Sequence, residues 1–189
     1  LSRNRLDGQR AEALYVLAGM SRERARSDEA AIKYFMFGAL SSALIVFAIG
    51  LVYGMTGTTN IGDSVQAMTN LDPSMMPVGL LAVALFIAGF GFKMGLVPFH
   101  MWLPDAYEGS PSTIGGLLAA ATKKAGFAAA LRVIVLGMFA LNADWTLTLA
   151  ILAVFTMTIG NLGAIMQRSV PRILAYSSIA QAGYIMIGI

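Results

Sequence analysis

The chain has no cysteine and only one histidine, His100, in 189 residues. It therefore cannot hold by itself an iron–sulfur cluster, a thiolate zinc site or a bis-histidine haem. We expect no cofactor and no metal bound by this chain, and no electron transfer through it. Without cysteine the redox compartment stays undecided. Charge is also scarce, at 12% of residues, against about 25% in an ordinary soluble domain. No basic n-region, apolar h-region and small-residue cleavage site follows Leu1, so the chain reads as an internal piece of something longer.

Apolar residues take the place of charge. Hydrophobic side chains make up 57% of the sequence and mean hydropathy is +0.71, which predicts an all-α polytopic membrane protein. The formal charge of +3 and pI near 9.4 do not indicate nucleic acid. The cations sit in two short clusters beside apolar runs, not along an aromatic-lined groove. The 20 glycines and 12 methionines are read as packing devices and core filler. Gly115, Gly116 and the alanines from Ala119 to Ala121 are assigned no chemistry on that ground.

A bilayer core needs about 20 apolar residues in a helix, and residues 34–62, 73–92, 145–167 and 173–189 contain no Asp, Glu, Lys or Arg. Spans are expected at about 30–54, 77–97, 113–140, 145–166 and 171–189, with the end of one more at 11–20. No repeat or low-complexity linker divides them, so 11–189 is taken as one bundle preceded by a polar stretch at 1–10. Arg22, Arg24, Arg26 and Lys33 precede the first full span, and Arg168 and Arg172 flank the last turn. The positive-inside rule puts both regions in the cytoplasm. Residues 21–29, 98–112 and 167–170 then share the cytoplasmic side. The opposite loops, 55–76 and 141–144, contain no Lys or Arg.

One segment cannot be a regular helix. From Gly89 to Pro111 the sequence GFGFKMGLVPFHMWLPDAYEGSP carries Pro98, Pro104 and Pro111, and a helix arriving at Val97 should stop or kink before Pro98. Irregular backbone at membrane depth persists only where protein or a wet cavity surrounds it. Lys93 lies five residues before Pro98, in a position that costs roughly 2.5 to 3.5 kcal/mol on insertion scales. It either serves a function there or snorkels about 7 to 8 Å to the interface. Lys123 stands about ten residues, or roughly 15 Å, inside the next span, too deep for snorkelling to explain.

Lys124 is 100° round the helix from Lys123, so the two cannot enter one cavity. Arg132 is nearer the outer end and is read as structural. Burial disfavours the charged form of an amine, and a second cation disfavours it further. At about 10 Å and an effective dielectric near 20, two such charges interact by roughly 1.7 kcal/mol. That suffices to pass protonation between them. His100, Lys124, Asp105 and Glu108 are further candidates for a relay, although His100 also suits an interfacial hydrogen bond and the two acids a solvated loop.

Together, the run GFGFKMGLVPFHMWLPDAYEGSPST, the following AAATKKAGFAAALRV, the later RSVPRILAYSSIAQAGYI and the preceding EAAIKYFMFGALSSALIVFAIGLVYGMTGTTNI closely resemble subunit N of respiratory complex I and its archaeal relatives. These belong to the antiporter-like, proton-conducting membrane subunits, and the resemblance covers about residues 11–189. It implies a bundle of inverted repeats with discontinuous helices. Lys93 matches the family's lysine beside the first broken helix, and Lys123 matches the linking lysine on the next helix. The wording TKKAGFAAALRV leans toward archaeal members, including those fed by a reduced deazaflavin coenzyme.

Two departures stand out. The family's intramembrane glutamate belongs on the helix before residue 30, yet the stretch here is LSRNRLDGQRAE, and Glu12 does not match in position. The chain also ends before the family's second broken helix, so it should hold only the middle of a proton path, with no translocation or catalysis unaided.

The resemblance implies a proton-translocating subunit of a respiratory NADH–quinone oxidoreductase in a prokaryotic plasma membrane. Its partners would be sister membrane subunits, lipid and protons, with quinone met only through the whole complex and no nucleic acid bound. A subunit of a multi-chain cation/proton antiporter or a membrane-bound hydrogenase is the nearest alternative. An inert scaffold for sister subunits is the third.

Overall fold

A computed structural model describes residues 17–18, 25–136 and 145–188, and every regular element among these is helical. The polar stretch 1–10 with Glu12, most of the span end at 11–20, and residues 137–144 lie outside the described residues.

Helix α1 (Ala25–Thr56) has 32 residues, about 48 Å of rise against a hydrocarbon core of about 30 Å. Its uncharged part begins at Tyr34, and the preceding turns carry Asp28, Glu29 and Lys33. The segment 55–76, expected as a plain loop, contains a short helix, α2 (Ile61–Thr69). Asn60 starts it by accepting the Gly62 N–H at 2.9 Å, an N-cap followed by Asp63 in the first turn. Asp72 caps the next turn, Pro73–Met75, through the Ser74 amide at 2.9 Å. The Ser74 backbone and then its hydroxyl hold the Asp72 carboxyl below its ordinary value, so the cap is charged and complete at neutral pH.

Helix α3 (Met76–Met94) leads into the break, and α4 (Trp102–Gly109) resumes after it. One rod then runs from Ser112 to Leu136. It comprises α5 (Ser112–Leu117), a π-wound turn Leu118–Thr122, α6 (Lys123–Ala130) and a second π-wound stretch Leu131–Leu136. Helices α7 (Trp145–Ile165) and α8 (Val170–Met186) complete the described chain. The segments Ser27–Thr56, Pro73–Met94 and Thr146–Ile165 are long and apolar enough to cross a membrane. The rod and α8 occupy the other two expected spans.

Helix α1 packs on α3 and α4, α3 on α6, α4 on α8, and α7 on α8. Phe86, Phe90, Met94, Phe127 and Leu149 form one buried cluster, and Trp102, Leu103, Leu118 and Ile179 a second around the break. The α7–α8 approach depends on Gly160, where a Cβ would stand 2.7 Å from the Ala180 backbone nitrogen. Small residues permit such contact between membrane helices. The opposite face of α1 exposes Phe35, Met36, Val46 and Phe47, an apolar surface suited to lipid or neighbouring protein.

Candidate proton-relay site

The site is built around the interruption between α3 and α4. Sequence reasoning puts the helix stop at Val97, ahead of Pro98, but α3 ends at Met94. Gly95 is left-handed, with φ of 75°, and caps the helix. The Leu96 N–H donates to the Gly91 carbonyl at 2.8 Å and the Gly95 N–H to the Phe92 carbonyl at 3.1 Å, the two bonds of a Schellman stop. Glycine takes this conformation at little cost, so it ends the helix before the proline can. The Val97–Pro98 peptide is cis.

Residues 98–112 are not all loop, because Trp102–Gly109 is helical. Pro104 falls in its first turn, where a missing N–H costs no intrahelical bond.

Two backbone groups at the break find partners on other elements. The Val97 N–H donates to Thr156 Oγ1 on α7 at 3.1 Å, and that hydroxyl donates on to the Leu152 carbonyl at 2.5 Å. Trp102 Nε1 donates to the Phe92 carbonyl at 3.2 Å. The Trp102 ring stacks between Tyr34 and Phe92, with centroids at 4.7 and 4.9 Å. Backbone irregularity in an apolar setting is thus satisfied by specific side chains.

Lys123 follows directly on the first π-wound turn, a feature that often marks functional positions in helices. It is 6% exposed. Its Nζ donates to the carbonyl and to the hydroxyl of Ser178 on α8, at 2.8 and 2.6 Å. The amine lies close to the break, since a Cβ on Gly95 would sit 3.5 Å from Nζ, in ordinary contact. Tyr107 Oη on α4 lies 3.5 Å from Ser178 Oγ.

Lys93 leaves the last turn of α3 beside α6, where a Cβ on Gly126 would be 3.4 Å from Lys93 Cβ. It lines a cavity of about 250 Å³ with Tyr34, Trp102, Thr122, Ala125 and Gly126, yet is exposed at the surface of the described chain. The two lysines therefore flank the same α3–α6 contact. Lys123 reaches across to α8, while Lys93 opens on the outer cavity.

The other candidates separate. Lys124 and Arg132 are exposed, as the helical angle from Lys123 requires for Lys124. His100 is half-buried against Tyr176, with ring centroids at 6.4 Å, and its Nδ1 is buried without a hydrogen bond. Asp105 and Glu108 lie in α4, not in a solvated loop. Asp105 bonds Lys33 at 2.8 Å and Arg172 at 3.2 Å, and Glu108 bonds Arg172 at 3.0 Å. Among the described residues no cluster of three or more His, Cys, Asp or Glu could hold a metal ion.

Sequence reasoning missed Ser178 and Thr156. Each meets its partner across 55 or more residues, and a membrane helix contains several serines and threonines with nothing local to distinguish them. The Ser177–Ser178 pair after Tyr176 was the available signal.

Residues 10–189 match the family described as NADH:quinone oxidoreductase/Mrp antiporter, transmembrane. The chain is 52% identical over 176 residues to the F(420)H(2) dehydrogenase subunit N of Methanosarcina mazei, covering 92% of this chain and 35% of that protein. It is 44% identical to the NADH-quinone oxidoreductase subunit N of Trichlorobacter lovleyi, covering 93% of this chain and 36% of that protein. A chain of the respiratory complex I structure from Thermus thermophilus, with bound aureothin, superimposes with a TM-score of 0.75 at 40% identity. That match covers 92% of this chain and 36% of the other. The chain thus spans about a third of the length of the relatives it matches.

Proposed function

The chain belongs to the NADH:quinone oxidoreductase/Mrp antiporter transmembrane family, and on that premise we propose that it supplies the central part of a proton path. The path belongs to a membrane subunit of a respiratory quinone oxidoreductase, driven by NADH or, as in the Methanosarcina mazei relative, by F(420)H(2). The observation that carries this reading is the buried Lys123 amine, held by Ser178 beside a broken helix whose Val97 N–H is taken up by Thr156. A lysine so placed is a functional group by default in a membrane interior.

Lys93 and Lys123 are the relay residues. Electron transfer elsewhere in the assembly changes their protonation, and the interaction between the buried Lys123 amine and Lys93 at the edge of the outer cavity passes that change along. Pro98, together with Gly95, maintains the break. His100 stands beside the break as a further relay position. Asp105 and Glu108 act at the charged end of the bundle, and Lys124 faces a neighbour. The end bearing Lys33, Asp105 and Arg172 is cytoplasmic by the positive-inside rule. Sister membrane subunits cover the exposed apolar faces, and this chain contributes no redox group.

The test uses the assembled complex. Lys93→Ala and Lys123→Ala each lower protons moved per electron at least twofold while subunit content stays normal. Wild-type stoichiometry in both variants sinks the proposal and selects a scaffold role. The family description also names the Mrp antiporter. Proton movement that requires sodium and proceeds without quinone chemistry selects that second reading.

A further inference from the structure

Ser178 is the partner of Lys123 in both of its hydrogen bonds, and its two acceptor atoms are not equivalent. The carbonyl at 2.8 Å can only accept. It accepts an N–H from the amine in either charge state, but it has no hydrogen to give to the lone pair that a neutral amine carries. The hydroxyl at 2.6 Å can accept from the ammonium and, after rotation about its C–O bond, donate to the neutral amine. It is the one group of the pair able to answer both the N–H of the ammonium and the lone pair of the neutral amine.

A second direction is open to the same hydroxyl. Tyr107 Oη is 3.5 Å from Ser178 Oγ, longer than the 2.5 to 3.0 Å typical of O–H···O bonds. The phenol is therefore a loose neighbour. While Ser178 Oγ accepts from the ammonium, its own hydrogen is free to point toward Tyr107. When the amine is neutral, that hydrogen turns to Lys123.

Resting on the reading of Lys123 as a relay residue, we propose that Ser178 is its positioning residue. Its hydroxyl reverses between acceptor and donor as the amine gains and loses a proton, and so keeps the lone pair of the neutral amine directed through the cycle. Without the hydroxyl either charge state retains the carbonyl, but the lone pair, where the proton returns, has no donor to orient it.

The deciding measurement is protons translocated per electron in the intact, membrane-embedded complex, with complex content and uncoupled electron-transfer rate recorded alongside. Ser178→Ala lowers the ratio at least twofold at normal content and normal uncoupled rate, and Ser178→Thr, which restores a hydroxyl, returns it to within a fifth of wild type. A merely structural serine would change content and uncoupled rate together with the ratio. A wild-type ratio in Ser178→Ala overturns the proposal, and so does an equal loss in Ser178→Thr, which would make shape the determinant. If Ser178→Ala fails to assemble, Ser178→Cys decides. Its thiol has similar size and much weaker hydrogen bonding, so a lowered ratio supports the proposal and a wild-type ratio refutes it. Lys123→Ala run in parallel separates the two claims. Normal pumping there removes the relay reading itself, whereas a loss there with normal pumping in Ser178→Ala removes only the role of the serine.

Discussion

Thr156 has no exposed surface, and its hydroxyl is the acceptor for the Val97 N–H that the break in the helix would otherwise strand. A buried amide deprived of its partner costs about 1 to 3 kcal/mol. Thr156→Val keeps the shape and removes the acceptor, so it should lower the temperature at which this subunit is lost from the purified complex. Thr156→Ser should restore most of the loss. Equal thermal stability of Thr156→Val and wild type would mean that the Val97 amide has another partner. The Ser178 prediction belongs to the same scale but tests something else, because Thr156 holds backbone and Ser178 holds the Lys123 amine.

At the scale of elements, the break needs Gly95 as well as Pro98. A Cβ at residue 95 would meet two obstacles, a left-handed φ of 75° and a collision with Leu103 Cδ1. The first costs about 1 to 2 kcal/mol for an L-residue, and overpacking adds about 1 to 3 kcal/mol. Gly95→Ala should thus disturb the entry to α4, read as reduced subunit content and reduced thermal stability. Combined with Leu103→Ala, its effect should be less than additive, since the smaller side chain removes the collision and leaves the backbone strain. Strict additivity would mean that the two residues do not meet.

Much of this element was legible in the sequence. Uncharged windows coincide with the three helices long and apolar enough to cross a membrane because hydropathy is a local property, and the prolines mark irregular backbone. The stop at Gly95 was less legible, because the eye goes to the stronger breaker and a Schellman glycine two residues upstream of Val97 gives no separate warning. Helix α4 is hard to see in the sequence because Pro104 resembles a breaker, although in a first turn it is compatible with helix. The contacts of Lys123 and Val97 could not be read at all, since they depend on how α7 and α8 dock. Lys123 itself was visible because a charge in an apolar run has an energetic cost wherever the helix packs.

At the scale of the whole molecule, one charged network ties distant parts of the chain together. Asp105 on α4 holds Lys33 on α1, 72 residues away, and Arg172 on α8, 67 residues away, while Arg172 also reaches Glu108. Helix α8 thereby carries both the arginine that grips α4 and, six residues further on, the serine that grips Lys123. About 9 Å of helix separates the two positions, so the end of the bundle and the buried amine share one rigid element. Glu29 differs, pairing with Lys33 only four residues along the same helix and with 63% of its side chain exposed.

Exposed pairs within a helix contribute little, whereas a residue bridging two elements couples them. Asp105→Asn should therefore lower the thermal stability of the complex clearly, and Glu29→Gln should leave it within error of wild type. In a cycle of Asp105→Ala and Arg172→Ala, a coupling of about 1 kcal/mol is expected, within the usual range for residues in contact. It should shrink as salt is raised, because both side chains are about one-third exposed. Coupling near zero at low salt would show that the network merely decorates the end of the bundle, and that α8 is positioned by its packing on α7 and α4.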